Sequence, residues 1–367
     1  MSIRNQNEEP ESSGLVVLKF GGSSMGKKEN HGQNFENLID LIKRFKSAYG
    51  NVIVVCSAFQ GHTKELVKQA DDHGLKDQKR DALLAQGEIH SSGVLNDYLN
   101  DMNVSSTVMN GTKMPIKTKG TYGSASISEV DTKSITKRLK QKKVVIIPGF
   151  IGWNNQGKLM TLGFNGSDTT AVTVAAEMNA DKVCLFKDVD GIYSVDPNKI
   201  KRSKKISRIA HSDMHKLSLC GADIIHPEAV KTAMDKNIDI HIVPTLNNGY
   251  GSVITNKCPQ MPVAGIAYTQ DVLDKGIILS VVGKEIRTQQ SLWLLGLQQE
   301  GIFFNFAQEQ INETLRIKVE KENLLRAVEL AHRIYFENMN EKASPARQAE
   351  SGRWQLMFPT KEISQAT

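Results

Sequence analysis

Residues 148–197 read PGFIGWNNQGKLMTLGFNGSDTTAVTVAAEMNADKVCLFKDVDGIYSVDP and decide the fold. Two apolar runs, Val144–Ile147 just before this segment and Val183–Phe186 inside it, predict buried strands. Between them, a glycine-rich turn at Gly163–Gly166 leads into a run of small residues that is typical of a packed helix. The acidic turn Asp188–Gly191 follows the second strand. Open α/β sheets bind ligands at such turns, where their strands end.

The turn before the predicted helix is suited to an anion. It offers free backbone N–H groups, and the helix dipole favours negative charge there. Ser167 and Asp168 fit the N-cap region of this helix, and Thr169 and Thr170 fit its first turn. The acidic turn can place its carboxylates near a nucleotide and Mg²⁺. The glycine spacing matches neither the P-loop nor the protein-kinase pattern.

Elsewhere, strand-like and helix-like segments alternate. The predicted strands are Leu15–Phe20, Val52–Val55 and Ile238–Val243, and the predicted helices cover 35–45, 64–74 and 79–99. This alternation predicts a largely parallel sheet between helix layers. Gly87 lies near the middle of the third helix, where glycine costs roughly 1 kcal/mol. We therefore expect a close contact or a bend at that glycine.

The pattern changes after Cys258, where Pro259 and Pro262 indicate a linker. Strands are predicted at 263–268, 277–282, 302–306 and 314–319, with helices at 291–300 and 324–336. The β-α-β-β-α succession within this region is typical of a ferredoxin-like module. Residues 1–14 and 344–367 are predicted to be flexible tails, although Trp354–Phe358 could add an edge strand.

Several short motifs carry candidate chemistry. Lys19 ends a strand beside Gly21 and Gly22, which suits a phosphate chain, although a lysine next to a glycine turn is more often just a turn. Ser57 follows another strand and could simply cap a helix. Glu88 lies inside a helix, where a glutamate is normally solvated. Each motif alone is a weak indication of a functional site, and only their combination is informative.

Together these motifs resemble the aspartate kinases of the amino acid kinase family. The resemblance rests on six segments, namely KFGGSS (19–24), VVCSA (54–58) with Thr63, GE (87–88) with Ser91 and Ser92, TLGFNGSDTTA (161–171), KDVDGIYSVDP (187–197) and GADIIHP (221–227). It implies an amino acid kinase catalytic domain at 15–258 and a reduced ACT-like regulatory and dimerisation module at 263–340. Family members usually carry two ACT modules, and we expect about one here.

The resemblance also assigns roles to residues. It implies catalytic roles for Lys19 and Asp168. It places the amino acid substrate against Ser23, Ser57, Glu88, Phe164 and Ser167. It places the nucleotide against Gly21, Gly22, Lys187, Asp188, Asp190, Gly191, Tyr193 and Asp196. Mg²⁺ would arrive with ATP rather than on dedicated protein ligands, and we interpret His226 as structural.

Two positions depart from the family pattern. Phe164 stands where aspartate kinases usually carry an arginine that helps to bind the substrate carboxylate, and Asp223 replaces a lysine. The implied reaction is ATP-dependent phosphorylation of the side-chain carboxylate of L-aspartate. The first alternative is a related kinase acting on a different or modified amino acid, which Phe164 favours. The second is a non-catalytic sensor of nucleotide or amino acid.

Composition narrows the function classes. The net charge of +6 is spread along the chain, which favours solvated surfaces over nucleic-acid binding. The four cysteines form no CxxC pair, so we expect reduced thiols in the cytoplasm rather than disulfides or a zinc site. No apolar run approaches the ~18 residues of a membrane span. We expect a homodimer without a nucleic-acid or membrane partner.

Overall fold

The computed structural model describes residues 14–163, 166–245, 251–271, 276–309 and 311–337. These residues form two compact units, which divide between Asp188 and Val189. The predicted boundary between domains, at 258–263, lies inside the second unit and stays a prediction. Both units contain strands and helices.

A parallel sheet forms the centre of the first unit. Its strands, in spatial order, are β9 (Lys182–Lys187), β1 (Leu15–Phe20), β2 (Asn51–Cys56), β6 (Val144–Pro148) and β3 (Ser106–Val108). Each neighbouring pair is parallel. Val16, Val54 and Ile146 are fully buried, as expected of central strands covered on both faces. The polar residues that follow the strands therefore gather at one edge of the sheet.

Helices surround this sheet. They are α1 (Gly22–Met25), α2 (Gly32–Tyr49), α3 (His62–Asp72), α4 (Asp77–Leu84), α5 (Gln86–Asp101), α6 (Thr132–Leu139) and α7 (Gly166–Glu177), with a 3₁₀ turn at Gly111–Lys113. Helix α2 buries Phe35, Leu38, Ile42 and Phe45, whose spacing puts them on one face. Helix α7 is buried along most of its length because it consists mainly of small residues.

A second, smaller sheet belongs to the same unit. Its strands are β5 (Ser124–Val130), β4 (Ile116–Thr121), β7 (Ile151–Trp153) and β8 (Leu159–Thr161), in that spatial order. Strands β4 and β5 form a hairpin with its turn at Tyr122–Gly123. This sheet matters for function because β8 leads directly into the glycine-rich turn before α7.

The second unit begins with short strands and two helices. These are β10 (Ile192–Tyr193), β11 (Lys205–Ile206), β12 (Arg208–Ile209), α8 (His211–Leu219), α9 (Pro227–Lys236), β13 (Ile240–Pro244) and β14 (Ser252–Ile254). Strand β14 pairs in parallel with β12 and antiparallel with β13. His226 is the N-cap of α9, where its Nδ1 accepts a hydrogen bond from the Glu228 amide at 3.3 Å. This contact supports the structural interpretation of His226.

The rest of the second unit is an antiparallel sheet with two further helices. Its elements are β15 (Gly265–Gln270), β16 (Ile277–Val282), α10 (Gln290–Gln299), β17 (Phe304–Phe306), β18 (Thr314–Val319) and α11 (Leu324–His332), with 3₁₀ turns at Ile286–Thr288 and Lys321–Asn323 and a π turn at Arg333–Glu337. The spatial order is β15-β16-β18-β17. Leu279, Ile317, Trp293 and Val328 share its core. The segment from β16 to α11 has the predicted β-α-β-β-α succession.

Most predicted elements are present with small shifts of their ends. The predicted helix at 79–99 is two helices, α4 and α5, that meet at Ala85. The predicted edge strand at Trp354–Phe358 lies outside the described residues. In the described part of the chain, no helix has both the length and the hydropathy needed to cross a membrane.

Candidate active site

Three charged side chains meet where β1 and β9 end. Lys19 Nζ lies 2.7 Å from Asp168 Oδ1, and Lys187 Nζ lies 2.7 Å from Asp168 Oδ2. The Asp168 side chain is 1% exposed, the Lys19 side chain 8% and the Lys187 side chain 18%. One buried carboxylate therefore holds two ammonium groups. The two ammonium groups and the one carboxylate leave a net charge of +1, so the cluster suits an anionic ligand.

The pKa values of this cluster follow from burial and mutual charge. Burial alone would raise the pKa of Asp168, but the charges of Lys19 and Lys187 and their hydrogen bonds lower it to about 2. Burial lowers the pKa of Lys19, while the charge of Asp168 opposes that shift. Asp168 is consequently ionised at neutral pH, and with so low a pKa it would be a poor general base.

The local backbone explains why these side chains meet. Asp168 is the third residue of α7, where the helix dipole stabilises a carboxylate. Gly149 allows α7 to approach β6 closely, because a Cβ atom there would lie 2.7 Å from the Cβ atom of Ser167. A Cβ atom on Gly21 would lie 3.6 Å from Lys19 Nζ. The backbone of the KFGGSS turn therefore passes beside the lysine, as the sequence predicts.

Glu88 is a second buried carboxylate in the first unit, and its surroundings are different. It is 3% exposed, and its Oε1 atom accepts a hydrogen bond from the Ala58 amide at 3.3 Å. Its Oε2 atom is buried and has no hydrogen-bond partner among the residues that the structure describes. Burial raises the pKa of Glu88 to about 8, and the charge of Lys19 only partly opposes this. A cationic group would satisfy this carboxylate.

The serines of the candidate site differ in their contacts and positions. Ser91 Oγ donates to the carbonyl oxygen of Ser57 at 2.7 Å, which fixes the end of β2 against α5. The Ser57 amide donates to the carbonyl oxygen of Phe20 at 3.0 Å. Ser23 lies in the short helix α1, and Ser167 is 6% exposed beside Asp168. Phe164, on which the expected choice of acceptor depends, lies outside the described residues.

The acidic loop after β9 begins at Asp188 in the first unit and continues in the second. There, Asp190 Oδ1 accepts a hydrogen bond from the Tyr193 hydroxyl at 2.8 Å, and Asp190 Oδ2 lies 3.1 Å from Lys205 Nζ. Asp196 Oδ1 accepts from the Asn198 amide at 2.9 Å. A Cβ atom on Gly191 would lie 2.7 Å from Ser252 Oγ. These contacts shape the loop, and nucleotide binding by it stays a prediction.

The sequence profile of the amino acid kinase family matches residues 14–244. The chain belongs to the amino acid kinase family. The match contains all the residues that the sequence analysis placed at the site, and it ends before the antiparallel sheet of the second unit.

Curated relatives agree with this membership. An aspartokinase of Bacillus sp. (strain MGA3) is 32% identical over 265 residues, which cover 71% of this chain and 63% of that protein. Aspartokinase 2 of Bacillus subtilis (strain 168) is 29% identical over 330 residues, or 85% of this chain and 80% of that protein. The chain thus spans less than two thirds of the length of several curated relatives that it matches.

The fold is also that of solved aspartokinases. Escherichia coli aspartokinase III, crystallised in complex with aspartate and ADP, superposes with a TM-score of 0.74 at 18% identity. The superposition covers 88% of this chain and 100% of that one. The predicted α/β fold with a mostly parallel sheet is therefore confirmed.

The sequence analysis missed one buried carboxylate of this member of the amino acid kinase family. Asp81 lies in α4 and is 1% exposed, yet nothing in its immediate sequence distinguishes it from a solvated helical aspartate. Lys187 was predicted to contact nucleotide, and the structure adds its ion pair with Asp168. The sequence feature that could have identified Asp81 as a site residue is its position seven residues before Glu88 on the same predicted helix.

Proposed function

We propose that the protein transfers the γ-phosphoryl group of ATP to the side-chain carboxylate of L-aspartate. The observation that carries this proposal is the buried cluster of Lys19, Asp168 and Lys187 at the ends of two parallel strands. The similarity to several aspartokinases supports the choice of reaction. The residue roles below belong to the same proposal.

The cluster fits phosphoryl transfer to an acceptor that is already an anion. An aspartate side chain has a pKa of about 4, so it is ionised at neutral pH and needs no general base. Asp168, with its pKa lowered to about 2, is a counter-ion for the two lysines. The lysines would neutralise charge on the transferred group, and catalysis would rest on positioning and electrostatic stabilisation.

Other residues would bind the two substrates. Glu88 would receive the ammonium group of the amino acid, because its Oε2 atom is buried and lacks a partner among the described residues. Ser23, Ser57, Phe164 and Ser167 would complete that pocket. The nucleotide would contact Gly21, Gly22, Lys187, Asp188, Asp190, Gly191, Tyr193 and Asp196. Mg²⁺ would be held mainly by the phosphates of ATP, whose charge it neutralises.

Phe164 favours a second candidate, a kinase of the same kind with a different or modified amino acid as acceptor. Phenylalanine cannot form the bidentate pair with a carboxylate that arginine forms.

Incubation with ATP, Mg²⁺ and a panel of amino acids, with ADP release as the readout, tests both candidates. We expect turnover with L-aspartate. Turnover with another amino acid only would support the second candidate, and no turnover with any would reject both in favour of a sensor.

We also propose that residues 15–258 form the catalytic domain and that residues 263–340 form an ACT-like module that makes the protein a homodimer. The support is exposed apolar surface on helix α10 and around strand β17. Phe303 is 84% exposed, Phe306 55%, Leu292 59% and Leu295 51%. Large apolar side chains left exposed are candidates for an interaction site.

The substitution Phe303→Glu should convert the dimer to a monomer in sedimentation experiments, because it places a charge on that surface. Met102→Glu is the matched control, since Met102 is 46% exposed on the first unit. A Phe303→Glu protein that sediments like the unsubstituted dimer would exclude this surface. We place the protein in the cytoplasm, where its four free thiols would stay reduced.

A further inference from the structure

Asp81 makes three hydrogen bonds to residues that are distant in sequence. Its Oδ2 atom accepts from the Thr161 amide at 2.8 Å and from the Gly123 amide at 3.0 Å. Its Oδ1 atom accepts from the Thr161 hydroxyl at 3.1 Å. Because Asp81 is 1% exposed, water cannot replace these bonds readily. One carboxylate therefore joins α4, the end of β8 and the tip of the β4–β5 hairpin.

These three segments border the amino acid pocket proposed above. Helix α4 continues through Ala85 into α5, where Glu88 is the third residue. Thr161 ends β8, two residues before Gly163, and α7 with Asp168 begins at Gly166. The hairpin tip closes on the same turn, because a Cβ atom on Gly163 would lie 3.4 Å from the Gly123 carbonyl oxygen. Asp81 thus links the backbone before Glu88 to the backbone before Asp168.

We propose that Asp81 is a positioning residue that sets the spacing between Glu88 and the turn before Asp168, and so determines how the acceptor amino acid fits. This rests on the proposed function, because it assumes that Glu88 and this turn hold the two ends of one amino acid. Asp81 itself touches neither substrate. Its influence passes through Thr161 and Gly123 to the turn, and through α4 to Glu88.

All three partners donate to Asp81, so its carboxylate serves only as an acceptor here. Asparagine can keep all three contacts, because its oxygen can accept from the two backbone amides while its NH₂ group donates to the Thr161 hydroxyl, which can also accept. Alanine has no side-chain acceptor. In Asp81→Ala all three bonds are lost, and the turn before α7 is released from α4. The amino acid should then bind more weakly while ATP binding is retained.

The test measures kcat and KM for L-aspartate and for ATP in Asp81→Ala. Asp72→Ala is the control, because Asp72 is an exposed aspartate on the neighbouring helix α3. We expect the KM for aspartate to rise about ten- to a hundred-fold, as for loss of a buried bond to a charged group, with the KM for ATP within about twofold. A variant that only loosens the fold would instead lower kcat or the active fraction and leave both KM values unchanged.

Thr161→Val provides a milder variant if Asp81→Ala does not fold. It removes the hydroxyl bond alone and keeps the amide bond, so its effect on the KM for aspartate should be smaller and in the same direction. Amide hydrogen exchange should be faster at Gly123 in Asp81→Ala. Equal KM values for aspartate in the active unsubstituted protein, Asp81→Ala and Thr161→Val would overturn the role of Asp81. Inactivity of the unsubstituted protein towards every amino acid would instead reject the proposed function, and unchanged exchange at Gly123 would then reject Asp81 as a link.

Discussion

Asp168 and Glu88 are two buried carboxylates in corresponding positions, and they have opposite protonation behaviour. Each is the third residue of its helix, and each helix has a glycine in its first two residues. They are 1% and 3% exposed. Two lysines contact Asp168 and its pKa is lowered to about 2, whereas the pKa of Glu88 is raised to about 8. The difference between their pKa values comes from the neighbouring charges, not from the degree of burial.

The difference indicates two kinds of role. Asp168 is satisfied within the protein, so it can hold Lys19 and Lys187 in place before any ligand binds. Glu88 receives a hydrogen bond from the Ala58 amide, and one of its oxygens has no partner within the described part of the chain. An arriving ammonium group would complete its surroundings. The first carboxylate organises the protein's own cations, and the second is ready for a cation of the substrate.

Breaking the Asp168 cluster should have the largest effect. Asp168→Asn leaves two ammonium groups in a buried site without their counter-ion, so we expect a loss of about 3–5 kcal/mol in the free energy of unfolding. Urea denaturation measures this loss. Asp40→Asn, at an exposed position of α2, should change stability by less than about 0.5 kcal/mol. A loss of similar size in both variants would show that the cluster does not stabilise the fold.

Removing Lys19 should affect turnover more than stability. In Lys19→Met, Asp168 keeps its ion pair with Lys187, but the charge next to Gly21 is lost. We expect kcat for phosphoryl transfer to fall by about 10²–10³, as when one group that stabilises a transition state is removed. Lys43→Met, on the exposed face of α2, is the control. Near-normal turnover in Lys19→Met would place the phosphoryl site elsewhere.

The Asp168 cluster was predictable from the sequence only in part. The motif around Lys19 and the turn before Asp168 could be found because strands and glycine turns have local signatures. The direct ion pairs could not be found, because they depend on β1 and β9 being neighbours in the sheet although they are far apart in the chain. The pKa difference between Asp168 and Glu88 depends on the same long-range placement.

The β4–β5 hairpin was missed although its signal is local. Ile116 and Thr118 are buried and alternate with the exposed residues Lys117 and Lys119. Thr118 is polar and the strand carries two lysines, so the residue types alone do not show the alternation of buried and exposed positions. Asp81 was missed for another reason, since its partners are distant in the chain: Thr161 ends β8 and Gly123 lies in the turn of the β4–β5 hairpin. The fold was therefore more predictable than the contacts that adjust the site.

The raised pKa of Glu88 predicts a dependence of stability on pH. The native state keeps a proton on Glu88 up to about pH 8, whereas a glutamate in the unfolded chain loses it near its ordinary pKa of 4.5. The native state thus binds more protons between these values, and stability falls as pH rises through this window, by at most about 1.4 kcal/mol per pH unit. Asp168 contributes the opposite slope at lower pH, because its native pKa lies below the unfolded value of 3.8.

Glu88→Gln should remove the decrease between pH 5 and 8, because the amide cannot ionise. Urea denaturation at several pH values measures the slope, and Glu65→Gln, at an exposed position of α3, should leave it unchanged. The same Glu88→Gln substitution should weaken aspartate binding, because the neutral amide cannot pair with an ammonium group. An unchanged slope in Glu88→Gln would mean that Glu88 is ionised in the native protein at neutral pH.

The smallest expected effect concerns the way Glu88 is held, which is by packing of the backbone rather than by charge. A Cβ atom on Gly87 would lie 2.8 Å from the Cβ atom of Ala58, whose amide donates to Glu88. Gly87→Ala should therefore push α5 away from the end of β2 and cost about 1–3 kcal/mol, as in other overpacked sites. Gly93→Ala is a close control, because Gly93 lies in the same helix and nothing lies within 4 Å of its added Cβ atom. Alanine at that position should stabilise the protein by about 0.5–1 kcal/mol, because it improves helix propensity without a clash. Thermal unfolding of both variants compares the two glycines directly. If both substitutions stabilise the protein equally, Gly87 has no packing role, and the position of Glu88 must be set by its hydrogen bond with Ala58 instead.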